Sequence, residues 1–340
     1  MWGGRWVQGE PFRPLLGFIF LISFACGLSQ PALPAFLPHL IRMRAEPARA
    51  TWAEPARATS PLVSRVSSLH IYQSMDFTII TPSLNYGRFL GDCLESVAAQ
   101  EGVTLEHLLM DGGSSDDSSA VATRYHHATW LQEADQGMSD AINKGFDRAK
   151  GDWVMWLNAD DRLKPGALLA MLEYLRTSTA DVVYGNWDFM NEAGRHLRHV
   201  KSPSWSLFVH VHHHCFIGST AAFYRRSSIV AEGHRLRVDF RYVMDGEFYA
   251  RLHAAGKTFS KVPVTVADFR LHGNNASQRH LSHARDMDAV LAAEKQHVES
   301  RAIRRVYGIT LFEDPYLNGL VDGILWMIAK GWKWVRKRIG

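Results

Sequence analysis

The chain has 340 residues, 46% of them apolar and 21% charged, a globular balance that excludes a wholly disordered or collagen-like polymer. Its three cysteines, Cys26, Cys93 and Cys215, lie too far apart for a C-x-x-C pair or a disulfide framework, so a reducing, cytoplasmic compartment is expected. The net charge of +4 sits at the ends: residues 1–74 carry 7 Lys/Arg against 3 Asp/Glu, and the last eleven residues carry five cations and no acid, which leaves residues 75–329 with 26 basic against 31 acidic residues. An acidic body argues against a nucleic-acid partner.

Residues 1–74 read as a separate extension. Leu15–Leu28 is a nearly continuous apolar run, shorter than the roughly twenty residues a bilayer span needs. Pro31, Pro34 and Pro38 would break a longer helix, and no small-residue cleavage site marks a signal peptide. The repeat AEPARAT then occurs at 45–51 and again at 53–59; two copies cannot build a solenoid core. The extension is expected to be a low-complexity linker, an anchor, or sequence upstream of the true start, since Met75 immediately precedes the first clear strand.

From Met75 strands alternate with helices. Phe77–Thr81 is a β-rich run ended by Pro82, and 89–100 follows with apolar residues at helical spacing. Leu105–Met110 is the next strand, closed by the turn Asp111-Gly-Gly-Ser-Ser-Asp116, whose polar residues suit the start of a helix over 117–125. A third strand is expected at 129–133, a helix at 138–149, a fourth strand at 153–157 ending in Asn158-Ala-Asp-Asp161, and a helix near Pro165. A fifth strand falls at 181–184. Repeated β-α units predict a mainly parallel twisted sheet flanked by helices, with ligands at the carboxyl ends of its strands.

The acids fall at those ends. Asp111 closes the second strand, Asp135 follows the third, and Asp160 with Asp161 follows the fourth. Singly each suits a turn or a cap; jointly they deliver carboxylates to one rim. Such hard oxygen ligands suit Mg²⁺ or Mn²⁺, which share their shell with phosphate oxygens and water, and the ligand so implied is a nucleoside diphosphate.

Four segments carry a resemblance: Thr78-Ile-Ile-Thr-Pro-Ser-Leu-Asn85, LLMDGGSSDDS at 108–118, EADQGMSDAINKGFDRAKGDWVMWLNADD at 133–161, and VMDGEFYARL at 243–252. In order and spacing they resemble glycosyltransferase family 2, over about residues 76–275. The resemblance implies a GT-A fold, with a catalytic domain at 75–275 and a helical C-terminal segment at 276–340. It implies transfer of a hexosyl or N-acetylhexosaminyl group from a nucleotide-sugar donor, uridine-linked, to a hydroxyl of a glycan or a lipid-linked sugar in polysaccharide biosynthesis.

Carried over residue by residue, the resemblance places Pro82 and Ser83 against the nucleoside and Asp111 on the base or ribose. Asp135, Gly137, Asp140, Asn143 and Lys144 would line the donor pocket, with Lys144 offsetting phosphate charge. Asn158-Ala159-Asp160 occupies the family's Asp-x-Asp position. Here the first acid is replaced by an amide, so the metal contact is expected to rest on Asp160 with Asp161, and His272, in Phe269-Arg-Leu-His272, matches a position that can reach the metal or diphosphate. Asp245 matches the acid that acts as general base, needed because a sugar hydroxyl is a poor nucleophile; one base and in-line displacement imply inversion. Glu247, His214 and Trp187 are the acceptor-side candidates. The cluster His210, His212, His213, His214 and Cys215 lacks ligand spacing for zinc.

Residues 280–306 are expected to be helical. The final run combines Trp326, Trp332 and Trp334 with Lys330, Lys333, Arg336, Lys337 and Arg338, a pairing that favours the interface of an anionic bilayer. A peripheral position at the inner membrane face is therefore expected. Two other readings stay open: a non-catalytic nucleotide-sugar binder, favoured by Asn158, and a nucleotidyltransferase, disfavoured because 81–88 is not a Gly- and Lys/Arg-rich loop. No G-x-G-x-x-G follows the first strand, as a dehydrogenase would require.

Overall fold

Strand β1 (Phe77–Ser83) is buried along its whole length, flanked by β2 (Leu105–Asp111) on one side and β4 (Trp153–Trp156) on the other, both parallel to it. This computed structural model describes residues 75–213, 215–273, 275, 298–308, 324–334 and 337; the expected extension 1–74 lies outside them. The remaining strands are β3 (Ala128–Gln132), β5 (Arg162–Leu163), β6 (Val182–Asn191), β7 (His196–Val200), β8 (Ala222–Arg225) and β9 (Phe259–Leu271). They form one sheet in the order β3-β2-β1-β4-β8-β6-β9-β5, with β7 paired to β6.

The four strands expected before residue 160 make the parallel half, so their carboxyl ends share a rim. Beyond β4 the sheet turns mixed: β8 runs antiparallel to both β4 and β6, while β9 returns parallel to β6. This is the α/β sheet the spacing predicts, extended by β5, β7 and β8, whose short runs carry no period of their own, and by the long β9, which that spacing does not predict.

The helices are amphipathic where they touch the sheet. Helix α1 (Gly87–Ala98) buries Phe89, Leu90, Cys93, Leu94 and Val97, a stripe at helical spacing; α2 (Ser118–Ala122) is short. Helix α3 (Met138–Arg148) buries Ala141, Ile142 and Phe146. Helices α4 (Ala167–Leu175), α5 (Leu207–His212) and α6 (Met244–Ala254) follow, then α7 (298–307) and α8 (324–334). Alternation along β1 sends Ile80 to one core with Phe146, Trp156 and Tyr224, and Phe77 and Ile79 to the other with Met155 and Phe223, as the period of a strand requires. Trp153 and Trp156 are buried core. No described helix is long and apolar enough to cross a membrane.

Several boundaries differ from the expectation, the helix expected over 117–125 stopping at Ala122, and two of them bear on the site. β1 continues through Pro82 to Ser83. The backbone of Ile80 faces β4, its carbonyl accepting from Leu157 N at 2.9 Å, so Pro82, two residues on, turns its missing N–H to the same side, where β4 has already ended. A proline is tolerated at such an edge. β6 runs on to Asn191, which places Trp187 within a strand rather than after one.

Candidate active site

The rim is built first by the loops after β1 and β2. Asp111 is buried, and both its oxygens are used: Oδ1 accepts from the amides of Gly113 and Ser114 at 3.1 and 2.8 Å and from Ser114 Oγ at 2.7 Å, while Oδ2 accepts from Trp130 Nε1 at 3.1 Å. Its carboxylate thus shapes the turn it heads. Asn85, at φ 58°, donates its N–H to Ser114 Oγ and accepts from Ser115 N, both at 2.8 Å, stitching the two loops together. Ser83 pairs in register with Asp111, and its buried hydroxyl has no partner among the described residues.

The next stretch leads into α3. Asp135 Oδ1 accepts from Gly137 N at 2.8 Å, and its carboxylate lies so close to Gly112 that a Cβ there would collide with it. Gly137, at φ 118°, precedes the helix in a conformation open to glycine. Asp140 accepts from Gln136 N at 3.0 Å and pairs with Lys144 at 3.2 Å; Lys144 also donates to Ala134 O at 2.6 Å. Asn143 turns elsewhere: its amide donates to Leu236 O and accepts from Leu236 N, both at 2.8 Å, clamping α3 to the segment before α6.

The loop after β4 divides its two acids. Asp161 is fully buried; Oδ1 accepts from Arg270 N at 2.9 Å and Oδ2 from Asn158 Nδ2 at 3.0 Å. Burial, then the neighbouring Asp160, holds its carboxyl well above the usual carboxylate range. Asp160 Oδ2 instead meets His272 Nε2 at 2.9 Å and Asn275 Nδ2 at 3.3 Å. Arg270, itself buried, donates to the carbonyls of Asp160 and Glu192 at 2.8 and 2.7 Å and to Asp92 Oδ2 at 2.7 Å. Asn158 Oδ1 is a buried acceptor with no partner among the described residues. A carboxylate, an orphaned amide oxygen and an imidazole together fit a hard divalent cation.

The fourth expected element closes the site from α6. Asp245 sits in the first turn, half-buried, with Oδ1 accepting from Gly246 N at 2.8 Å and Oδ2 at 4.0 Å from Cys215 Sγ. Burial pushes its carboxyl up to about 6. The turn is held from three sides. The buried Glu299 of α7 accepts from the backbone N–H groups of Arg241, Tyr242 and Val243 at 2.9, 2.9 and 3.1 Å. His210 Nε2 lies 2.8 Å from Gly246 O, and burial depresses that imidazole to about 4, so it is neutral and donates from Nε2. Ser139, in the first turn of α3, donates to Met244 Sδ at 2.9 Å, which joins the Asp135 loop to the Asp245 turn.

The histidines of 210–213 do diverge: His210 faces Gly246 and His213 packs on Trp326 at 5.4 Å between ring centroids. His214 lies outside the described residues. Among the described residues one group of metal-ligating side chains converges, Asp188, His196 and Asp268, but Lys164 already fills it, 2.8 Å from Asp188 and 2.6 Å from Asp268. A cavity of about 400 Å³ beside it, between α1 and β5, lies apart from the acids of the rim.

Residues 78–231 match the family model described as glycosyl transferase family 2. A PGL/p-HBAD biosynthesis glycosyltransferase of Mycobacterium tuberculosis is 36% identical over 117 residues, which are 32% of this chain and 46% of that protein; the chain thus spans about half the length of this relative. An uncharacterized glycosyltransferase of Nostoc is 27% identical over 241 residues, 67% of this chain and 72% of the relative. Residues 78–231 form a glycosyltransferase family 2 domain. Its architecture is the GT-A fold: the crystal structure of Staphylococcus aureus TarS 1–349 in complex with UDP-GlcNAc superposes with a TM-score of 0.50 at 14% identity, covering 75% of this chain and 79% of that one.

The acids of the site, of which Asp111, Asp160 and Asp161 fall within residues 78–231 and Asp245 beyond them, do not stand alike. Asp160 and Asp245 present an oxygen beyond their own loop contacts, whereas Asp111 and Asp161 are consumed by their surroundings. Glu247 is buried against Arg251 in a two-pronged pair at 2.8 and 3.0 Å, and Trp187 packs against Phe189 and Phe269. Arg270, Asn275 and Glu299 escape a reading of the sequence. Arg270 and Asn275 flank His272 closely enough to have been found; Glu299 lies 54 positions beyond Asp245 in a charged helix whose pattern looks solvated.

Proposed function

We propose that this chain transfers a sugar from a nucleoside-diphosphate donor, uridine-linked, to a hydroxyl of a glycan or lipid-linked acceptor, with inversion at the anomeric carbon and Asp245 as general base. The observation that carries the reading is the Asp245 turn: a carboxyl raised to about 6, on a backbone fixed by the buried Glu299 and His210, beside the start of α3 at the rim where the donor loops end. A carboxyl near that value is ionised at neutral pH yet basic enough to take a hydroxyl proton as the oxygen attacks. Asp245 Oδ2, turned away from Gly246 N, is the atom that receives it.

Asp160, the Asn158 carbonyl oxygen and His272 would hold Mg²⁺ or Mn²⁺, which when bound neutralises charge building on the departing diphosphate. Asp161 acts through Asn158: by accepting from Nδ2 it fixes the amide and leaves Oδ1 as its unspent acceptor. Arg270 fixes Asp160 from behind, through its backbone carbonyl. Lys144, at the end of the donor stretch, adds positive charge near the phosphates. Ser83, with its unspent hydroxyl, and Pro82 form the floor for the nucleoside, and the Asp111 turn sets the shape of that floor.

A second reading, a non-catalytic nucleotide-sugar binder, is favoured by Asn158 standing where an acid is usual. A screen of uridine- and guanosine-linked sugars for binding and Mn²⁺-dependent hydrolysis separates the two. Slow metal-dependent release of the nucleoside diphosphate supports the transferase, and tight binding without release supports the binder.

A further inference from the structure

The exposed tryptophans among the described residues are Trp326, Trp332 and Trp334, and all three lie on α8, together with the exposed Met327. Positions 326, 327, 330, 331 and 334 share one exposed face of that helix, while Leu325 and Ala329 are buried on the other. Eleven residues are too few to span a bilayer, so a helix that buries one face on the protein and shows tryptophan on the other is suited to lie along a surface.

The charge around this face comes from more than the tail. Lys201, just after β7, donates to Lys337 O at 3.2 Å, and Arg198 of β7 bears electrostatically on Lys333. Lys330 packs over the ring of Trp326 at 4.9 Å. Burial first, and then Lys337 and Arg198, depress Lys333 to about 8; Lys261 of β9 is likewise lowered, by burial and then by Lys201. Three elements distant in sequence thus bring cations to one place, at the cost of mutual repulsion, beside exposed Met327 and tryptophan. A soluble surface gains nothing from crowding like charges around apolar side chains. An anionic bilayer does: tryptophan seats at the level of the headgroups, and lysine and arginine meet lipid phosphate.

We propose that the β7 segment and α8 together form a docking surface for an anionic lipid bilayer. The same helix packs on His213 through Trp326, and Lys333 bears on Cys215, the neighbour of Asp245. Docking here therefore sets the acceptor side of the site next to the membrane. The surface is independent of the catalytic reading, because lipid binding needs neither donor nor Asp245.

The test is cosedimentation of the full chain with vesicles of phosphatidylcholine alone and of phosphatidylcholine mixed with phosphatidylglycerol, with bromine-labelled lipid as a second readout of tryptophan depth. Binding to the mixed vesicles only, weakened by salt, is expected, with tryptophan emission quenched by the labelled lipid. Arg198→Glu with Lys201→Glu, which leaves the tail intact, is expected to lower partition about tenfold or more, with nucleotide binding unchanged as the check on folding. Equal binding to both vesicles, no quenching in the unsubstituted chain, or a stable dimer that buries these tryptophans in place of lipid overturns the proposal.

Discussion

Asp160 Oδ2 lies 2.9 Å from His272 Nε2, so the loop after β4 and the end of β9 meet across 112 residues of sequence. Phe89 tilts against the imidazole at 4.8 Å between centroids, and Asn275 reaches the same carboxylate oxygen. This is the point where the parallel half of the sheet and its mixed half meet.

His272→Ala is expected to cut the gain that Mn²⁺ gives to UDP binding by about 10- to 100-fold, the loss typical even for groups that only orient a ligand. Titrating UDP calorimetrically with and without Mn²⁺ checks it. An undiminished metal effect would remove His272 from the set.

Arg270→Met is expected to cost about 1–3 kcal/mol in urea unfolding, because it strands the buried Asp160 carbonyl and takes a partner from Glu192 O and Asp92, which stand nearer solvent. Arg270→Lys should recover little of it, since one ammonium cannot reach three partners in the guanidinium's fork.

The parallel half of the sheet was legible because β1, β2 and β4 are short β-rich runs separated by helical spacing, and because acids and turn residues punctuate their ends. β8 and β5 were not: four and two residues long, they owe their strand conformation to neighbours supplied by the fold. At the site, residue type marked Asp160 and Asp245, but it could not tell which acids remain available. Asp111 and Asp161 carry the same signal and spend both oxygens locally, a distinction set by backbone N–H groups that come from elsewhere in the chain.

Asn143→Ala puts that distinction to use. Its amide closes two hydrogen bonds to Leu236, so the substitution is expected to destabilise by about 1–3 kcal/mol while leaving the dissociation constant for UDP unchanged. A weakened nucleotide affinity at full stability would return Asn143 to the donor pocket.

Asp245→Asn should stabilise the protein at neutral pH. The folded carboxyl titrates at about 6 against 3.8 for the free group, so between those values the native state binds more protons than the unfolded one, and wild-type stability falls as pH rises through the window. Above it the full penalty applies, at most about 3 kcal/mol; below it the carboxyl is neutral in both states. Melting curves of the two proteins should therefore differ at pH 7 and converge near pH 4.

The most direct measurement is a comparison of turnover with donor affinity in Asp245→Asn, using whichever nucleotide sugar the screen identifies and its acceptor. Loss of about 10²- to 10⁴-fold in kcat with donor affinity held is the expected result. Turnover that survives the substitution would contradict the assignment of Asp245 as the base, and with it the account of this rim as a site of sugar transfer.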